Sequence, residues 1–177
     1  QYWLVGFQVI VLLIFSGAAL VEVANGNAFD ATPIELSWFN PFAVSDFSAL
    51  AAGLSLSIFI FWGWDVTLTM NEETKGSERT PGRAATLSVL IIVSLYLLIS
   101  VSLISFAGVG DGEYGLGNPD IQDNVFFALA GPVLGPLAIL VSLAVLTSSA
   151  SSLQSTFVSP ARTLLAMGHY GALPKKF

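Results

Sequence analysis

The chain has 177 residues, of which 54% are apolar and only 10% are charged, and its formal net charge is −6. A typical soluble domain has about 25% charged residues, so this composition excludes a soluble protein and predicts an integral membrane protein. The chain has no cysteine, which excludes disulfides and thiolate sites, and its single histidine, His169, argues against a histidine-based metal site or proton relay.

Four apolar runs are long enough to cross a bilayer as helices, since about 20 apolar residues span the hydrocarbon core. We predict transmembrane spans at residues 2–21, 48–70, 84–107 and 133–160, all within a single transmembrane domain of residues 1–177. Gln8 is the one strongly polar residue inside the first run, and the last span belongs to an apolar run that begins near Val125. The pattern predicts an all-α, multi-span transmembrane protein.

The charges predict how these spans are oriented. All six Lys and Arg residues lie either in the loop after the second span or after the fourth span, and two spans separate these places. The other two loops hold acidic residues and no base. The positive-inside rule therefore predicts that loops 71–83 and 161–177 are cytoplasmic and that loops 22–47 and 108–124 are extracytoplasmic.

The second predicted span contains an unusual sequence, in which Gly63 lies between Trp62 and Trp64 and is followed by Asp65. A carboxylate at membrane depth costs about 2.5–3.5 kcal/mol to insert, so it usually faces a cavity or a partner. If the helix breaks at Gly63, its free carbonyls and amides can bind the ammonium and carboxylate groups of a zwitterion. The alternative is that Gly63 only kinks the helix or allows close helix packing, as glycine commonly does in membranes.

Three serines of the last span share one helix face, because Ser148, Ser151 and Ser152 stand at positions i, i+3 and i+4. Their hydroxyls could meet on a small cation, since hard cations take oxygen ligands. The alternative is that each serine bonds to its own helix backbone or allows close packing. Gln8 likewise has a plain interpretation, as a packing residue that bonds to a neighbouring helix.

Two motifs resemble the amino acid–polyamine–organocation (APC) superfamily of permeases. The first is Phe59-Ile60-Phe61-Trp62-Gly63-Trp64-Asp65, followed by Asn71-Glu72-Glu73-Thr74-Lys75-Gly76 and Arg79-Thr80-Pro81-Gly82-Arg83-Ala84, which looks like the sixth span of that family and the loop after it. The second covers residues 159–174 and resembles the end of the eighth span. The resemblance extends over nearly the whole chain.

The resemblance implies that the chain is a fragment of a longer transporter and covers about its fifth to eighth spans. Such transporters have a 5+5 inverted-repeat fold with a discontinuous helix near the membrane midplane. In the family the sixth span breaks at the glycine, here Gly63, and lines the substrate site. By this resemblance Phe59 is an aromatic lid over the substrate, Ile60 and Trp62 offer backbone groups, and Asp65 acts in gating or polar contacts.

The resemblance also implies where a coupling ion binds. Ser148, Ser151 and Ser152 fall where sodium-coupled relatives hold an ion, and Thr156, one turn further on, lines the substrate cavity. In some proton-coupled relatives a lysine of the fifth span replaces the ion, and Gln8 occupies about that position. The coupling ion is therefore expected to be sodium or a proton, and no other cofactor is expected.

We interpret the sequence as a secondary active transporter, not an enzyme, that moves an amino acid or a related amine across the cell membrane by alternating access. Its expected partners are the amino acid or amine substrate, the lipid bilayer and the remaining spans of a full-length chain, with no nucleic acid. One alternative is a non-transporting or channel-type structural membrane subunit, in which Gly63 is only a packing residue. An intramembrane enzyme ranks last, since it needs a catalytic set that one loop histidine and one deep acid do not provide.

Overall fold

The computed structural model of the chain describes residues 2–44, 46–61 and 79–172, and no strand occurs among them. The α-helices are α1 (Tyr2–Ala24), α2 (Phe47–Ile60), α3 (Thr80–Ala107), α4 (Val125–Leu134) and α5 (Ile139–His169). Short 3-10 turns occupy Leu36–Phe39, Pro41–Ala43, Gln122–Asn124 and Gly135–Ala138. The prediction of an all-α, multi-span helical protein is confirmed.

Three segments are long and apolar enough to cross a membrane: α1, α3 and the segment Gln122–His169, which contains α4 and α5. At 1.5 Å per residue, α1 is about 35 Å long, which exceeds a hydrocarbon core of about 30 Å. α2 has 14 residues. It is therefore only about 21 Å long. The rest of the predicted span 48–70 lies outside the described residues.

α1 is the centre of the described bundle and packs against α3, α4 and α5. Its buried face carries Val11, Phe15 and Ala19, which are 3%, 1% and 0% exposed. The Phe15 ring meets the Phe126 ring of α4 edge-on, with ring centroids 5.6 Å apart. Most other apolar side chains are exposed, as expected for helices whose outer faces meet lipid tails that are as apolar as they are.

The apolar run that begins near Val125 forms two helices and not one. Pro132 lies inside α4, and Pro136 follows Gly135, which has a φ of +53°. Proline offers no backbone N–H and clashes with the carbonyl four residues earlier, and a positive φ suits glycine, so the chain turns here before α5 starts. α5 then continues through Pro160, where the predicted span ended, to His169.

The loop after α1 is tied to the end of α3. The N–H groups of Phe29 and Asp30 both donate to the carbonyl of Phe106, at 3.0 and 3.4 Å. The Phe29 ring stacks on Tyr114 with centroids 4.3 Å apart and meets the Phe106 ring edge-on. These contacts, which we call the loop clasp, hold the carboxyl ends of α1 and α3 at the same side of the bundle.

We expect Gly108→Ala to destabilise the loop clasp. Gly108 has φ +69° and ψ 177°, a conformation nearly restricted to glycine, and an added Cβ would meet the carboxylate of Asp30. The free energy of unfolding should fall by about 1–3 kcal/mol, measured by thermal unfolding of the purified protein in detergent. Gly112→Ala is the matched control, because its Cβ meets no atom within 4 Å. Equal effects of the two substitutions would contradict this account of Gly108.

The start of α2 should depend on pH through its N-cap residue, Asp46. The hydroxyl and the N–H of Ser48 both donate to the Asp46 carboxylate, each at 2.8 Å, and these hydrogen bonds hold the pKa of Asp46 below its ordinary value. A depressed carboxyl pKa stabilises the cap above about pH 4, and this stabilisation is lost as the pH falls through the lower folded pKa. Hydrogen exchange of the first turn of α2 should therefore accelerate at low pH. Asp46→Asn, which also caps well, should abolish that pH dependence; persistence of it in this variant would contradict the assignment.

Candidate functional site

The first component of the site is the carboxyl end of α2. The helix ends at Ile60, and the Phe61 N–H donates to the Ser57 carbonyl at 3.1 Å. The Phe59 side chain is 72% exposed and that of Ile60 is 51% exposed. The last carbonyls of a helix have no partners in the regular ladder, and here the Phe59 carbonyl accepts from the Phe61 N–H. The predicted site residues Trp62, Gly63 and Asp65 lie outside the described residues.

The end of α2 is close to α3 through one aromatic contact. The Phe61 ring meets the Tyr96 ring edge-on, with centroids 5.7 Å apart. Tyr96 is the residue that the sequence analysis missed. The only signal for it was that it is the single tyrosine in the predicted span 84–107.

The second component is a cavity of about 400 Å³ between α1, α3, α4 and α5, which we call the apolar cavity. Nine of its lining residues are aliphatic or aromatic hydrocarbons, including Phe15, Leu103, Val141 and Ala144. The other three are Gln8, Tyr96 and Ser148. The structure therefore brings Gln8 of α1 and Ser148 of α5 together on one cavity, although they are far apart in the sequence.

Gln8 has an unmet hydrogen-bonding requirement. Its side-chain Nε2 is buried and has no hydrogen-bond partner among the described residues. A buried donor without a partner costs free energy, so such groups usually bind water, a ligand or another part of the protein. The two interpretations of Gln8, as a packing residue and as an ion-site candidate, both stay predictions.

The third component is an open groove of about 470 Å³ along α5, which we call the hydroxyl groove. It is lined by Ser148, Ser149, Ser152, Leu153 and Thr156. Ser148 therefore lines both the hydroxyl groove and the apolar cavity. Along this part of the chain, four hydroxyl groups face the same space.

The hydroxyls of the groove differ in whether they are already bonded. Those of Ser149 and Thr156 donate to the carbonyls of Val145 and Ser152, at 3.0 and 2.9 Å, in the manner typical of serine and threonine in membrane helices. Among the described residues, the hydroxyls of Ser148 and Ser152 have no such partner. These two hydroxyls can therefore both donate and accept toward a ligand.

The predicted serine face is divided in the structure. Ser148 and Ser152 lie together in the hydroxyl groove with Thr156, whereas Ser151 is buried at 9% exposure and does not line the groove. The Ser151 carbonyl accepts a hydrogen bond from the Ser155 hydroxyl at 3.1 Å. Of the three serines that share the predicted face, Ser148 and Ser152 are exposed and Ser151 is buried, and a shared ion site stays a prediction.

Comparisons with known proteins identify the family of the chain. The amino acid permease family model matches residues 1–177. The D-serine/D-alanine/glycine transporter of Escherichia coli K12 is 27% identical over 100% of this chain and 37% of its own length. Cationic amino acid transporter 9, chloroplastic, of Arabidopsis thaliana is 24% identical over 96% of this chain and 26% of its own length. No solved structure matches the chain significantly.

The chain thus spans a little over a third of the length of the bacterial transporter that it matches. The family match covers every residue, and the apolar helices described above are those of a multi-pass membrane protein. The resemblance to APC permeases seen in the sequence motifs is confirmed. This chain belongs to the amino acid permease family.

Proposed function

We propose that this chain forms part of a secondary active transporter that moves an amino acid or a related amine across the cell membrane by alternating access. The observation that carries the proposal is the end of α2 at Ile60, next to Tyr96 on the apolar cavity. A helix of about 21 Å cannot cross a hydrocarbon core of about 30 Å, so a start at the membrane surface leaves its end inside the membrane. Irregular backbone at that depth is tolerated only against protein or a water-filled cavity.

The proposed substrate site combines backbone and side-chain groups. Carbonyls at the end of a helix, such as that of Ile60, suit an ammonium group, and hydroxyls accept from ammonium and donate to carboxylate. Phe59, Trp62, Gly63, Asp65 and Thr156 complete the proposed site. The family membership supports an amino acid as the substrate, and the two relatives described above are amino acid transporters by name.

The proposed coupling ion is sodium or a proton, bound near Gln8 and the serines of α5. The unbonded hydroxyls of Ser148 and Ser152 suit a small cation that takes oxygen ligands, with Ser151 as a third, more buried candidate. Gln8 is a neutral amide and carries no titratable proton. The basic residues support an orientation with loops 71–83 and 161–177 in the cytoplasm and loops 22–47 and 108–124 outside.

Ligand-induced stabilisation tests the proposed function. The purified protein in detergent is heated with a panel of amino acids and amines, with and without sodium. We expect at least one ligand, at a hundred times its Kd, to stabilise the protein by about 2.7 kcal/mol. Gly63→Leu should remove that response, whereas Gly53→Leu, at an exposed helical position with open space around it, should keep it. If no ligand stabilises the wild-type protein, a structural membrane subunit becomes the better interpretation.

The hydroxyl groove is tested by paired serine substitutions. Ser148→Ala combined with Ser152→Ala should weaken binding of the coupling ion or the substrate about tenfold, since each hydrogen bond contributes about 0.5–1.5 kcal/mol. Ser149→Ala is the matched control, because its hydroxyl already bonds to Val145 of its own helix. Binding is measured by isothermal titration of the purified variants. A similar loss in the control would mean that the groove is not the site.

A further inference from the structure

We propose that the apolar cavity receives the side chain of the transported amino acid, and that the substrates are therefore amino acids with bulky apolar side chains. The inference rests on the proposed function and adds the substrate class to it. It depends on the size of the cavity, on the chemistry of its described lining and on the position of Ser148.

The cavity has the size and the walls of a small-molecule site. Its volume of about 400 Å³ lies within the range of about 300–1,000 Å³ that is typical of ligand pockets. Its walls come from four helices, and residues such as Phe15, Leu103 and Val141 are almost completely buried. A hydrocarbon side chain of the substrate would be removed from water where it meets these walls.

The described lining of the apolar cavity also disfavours charged side chains of the substrate. None of the described residues that line the apolar cavity carries a charge. An ammonium, guanidinium or carboxylate group that enters such a cavity without a partner loses its hydration and gains nothing comparable. An uncharged, apolar side chain has no such cost, so the described walls favour leucine or phenylalanine over lysine or glutamate.

A boundary between apolar and polar surface lies at Ser148, which belongs to both the apolar cavity and the hydroxyl groove. An apolar amino acid is divided in the same way, because one end carries the ammonium and carboxylate groups and the other end is the apolar side chain. If the side chain occupies the cavity, the charged groups remain at Ser148, where the hydroxyls begin.

A direct comparison of substrates tests the inference. Uptake into proteoliposomes and thermal stabilisation are measured for leucine, phenylalanine, glycine, D-serine, lysine and glutamate. We expect leucine and phenylalanine to bind at least tenfold tighter than the other four. If one of those four binds most tightly, the inference is overturned while the proposed function stands. If no amino acid binds or enters, the proposed function itself fails.

Substitutions in α5 test whether the apolar cavity causes the expected preference for bulky apolar side chains. Ala144 is 8% exposed and lines the cavity, so Ala144→Leu should weaken phenylalanine binding about tenfold more than it weakens alanine binding. Ala150→Leu, at an exposed position of the same helix outside the described lining, is the matched control.

A second variant addresses the case in which Ala144→Leu does not fold. Val141→Ala enlarges the same cavity and should improve phenylalanine binding relative to leucine. An unchanged ratio of the two affinities in this variant would show that the cavity is occupied by something other than the substrate, such as a lipid chain, and would overturn the inference.

Discussion

The described structure depends on one apolar face of a single helix. Val11, Phe15 and Ala19 of α1 are buried, and α3, α4 and α5 all pack against this helix. Because lipid tails are as apolar as these side chains, close packing holds such a bundle together more than removal of apolar surface from water does. The small side chains of Ala19 and Ser16 fit that requirement, since both are fully buried. The apolar cavity is the place where this packing is incomplete.

The apolar cavity combines apolar walls with polar groups at its margin. A void in a helical bundle forfeits contacts for the atoms around it, and it persists only when something offsets that loss. Here the void is bordered by Gln8, whose Nε2 has no partner among the described residues, and by Ser148. Apolar walls with a polar group at their margin suit the amphipathic ligand proposed above.

Sequence reasoning predicted the all-α, multi-span class correctly, because membrane helices are specified locally. An uninterrupted apolar run such as 84–107 can only be a helix in lipid, since every backbone polar group must be satisfied within it. The division of the last apolar run into α4 and α5 was missed, although Pro132, Gly135 and Pro136 were visible in the sequence. Two prolines in a membrane helix are often tolerated, so only the backbone angles at Gly135 decide where it turns.

The candidate site was less predictable because it depends on which helices meet. The spacing of Ser148, Ser151 and Ser152 indicated a shared face, but the burial of Ser151 depends on its neighbours. The pairing of Gln8 with Ser148 on one cavity brings together residues from the first and last helices, and no local pattern specifies it. Tyr96 was overlooked for the same reason, since its role depends on its contact with Phe61 across the bundle.

The loop clasp has a mechanical consequence. The Phe106 carbonyl accepts from two successive N–H groups of the segment after α1, and the Phe29 ring lies against Tyr114. The loop after α3 is also braced internally, with the Leu116 N–H donating to the Gly108 carbonyl at 3.1 Å. These hydrogen bonds and ring contacts couple the carboxyl ends of α1 and α3, so a tilt of one helix should tilt the other. Any relative motion of the described helices should therefore move α1 and α3 together.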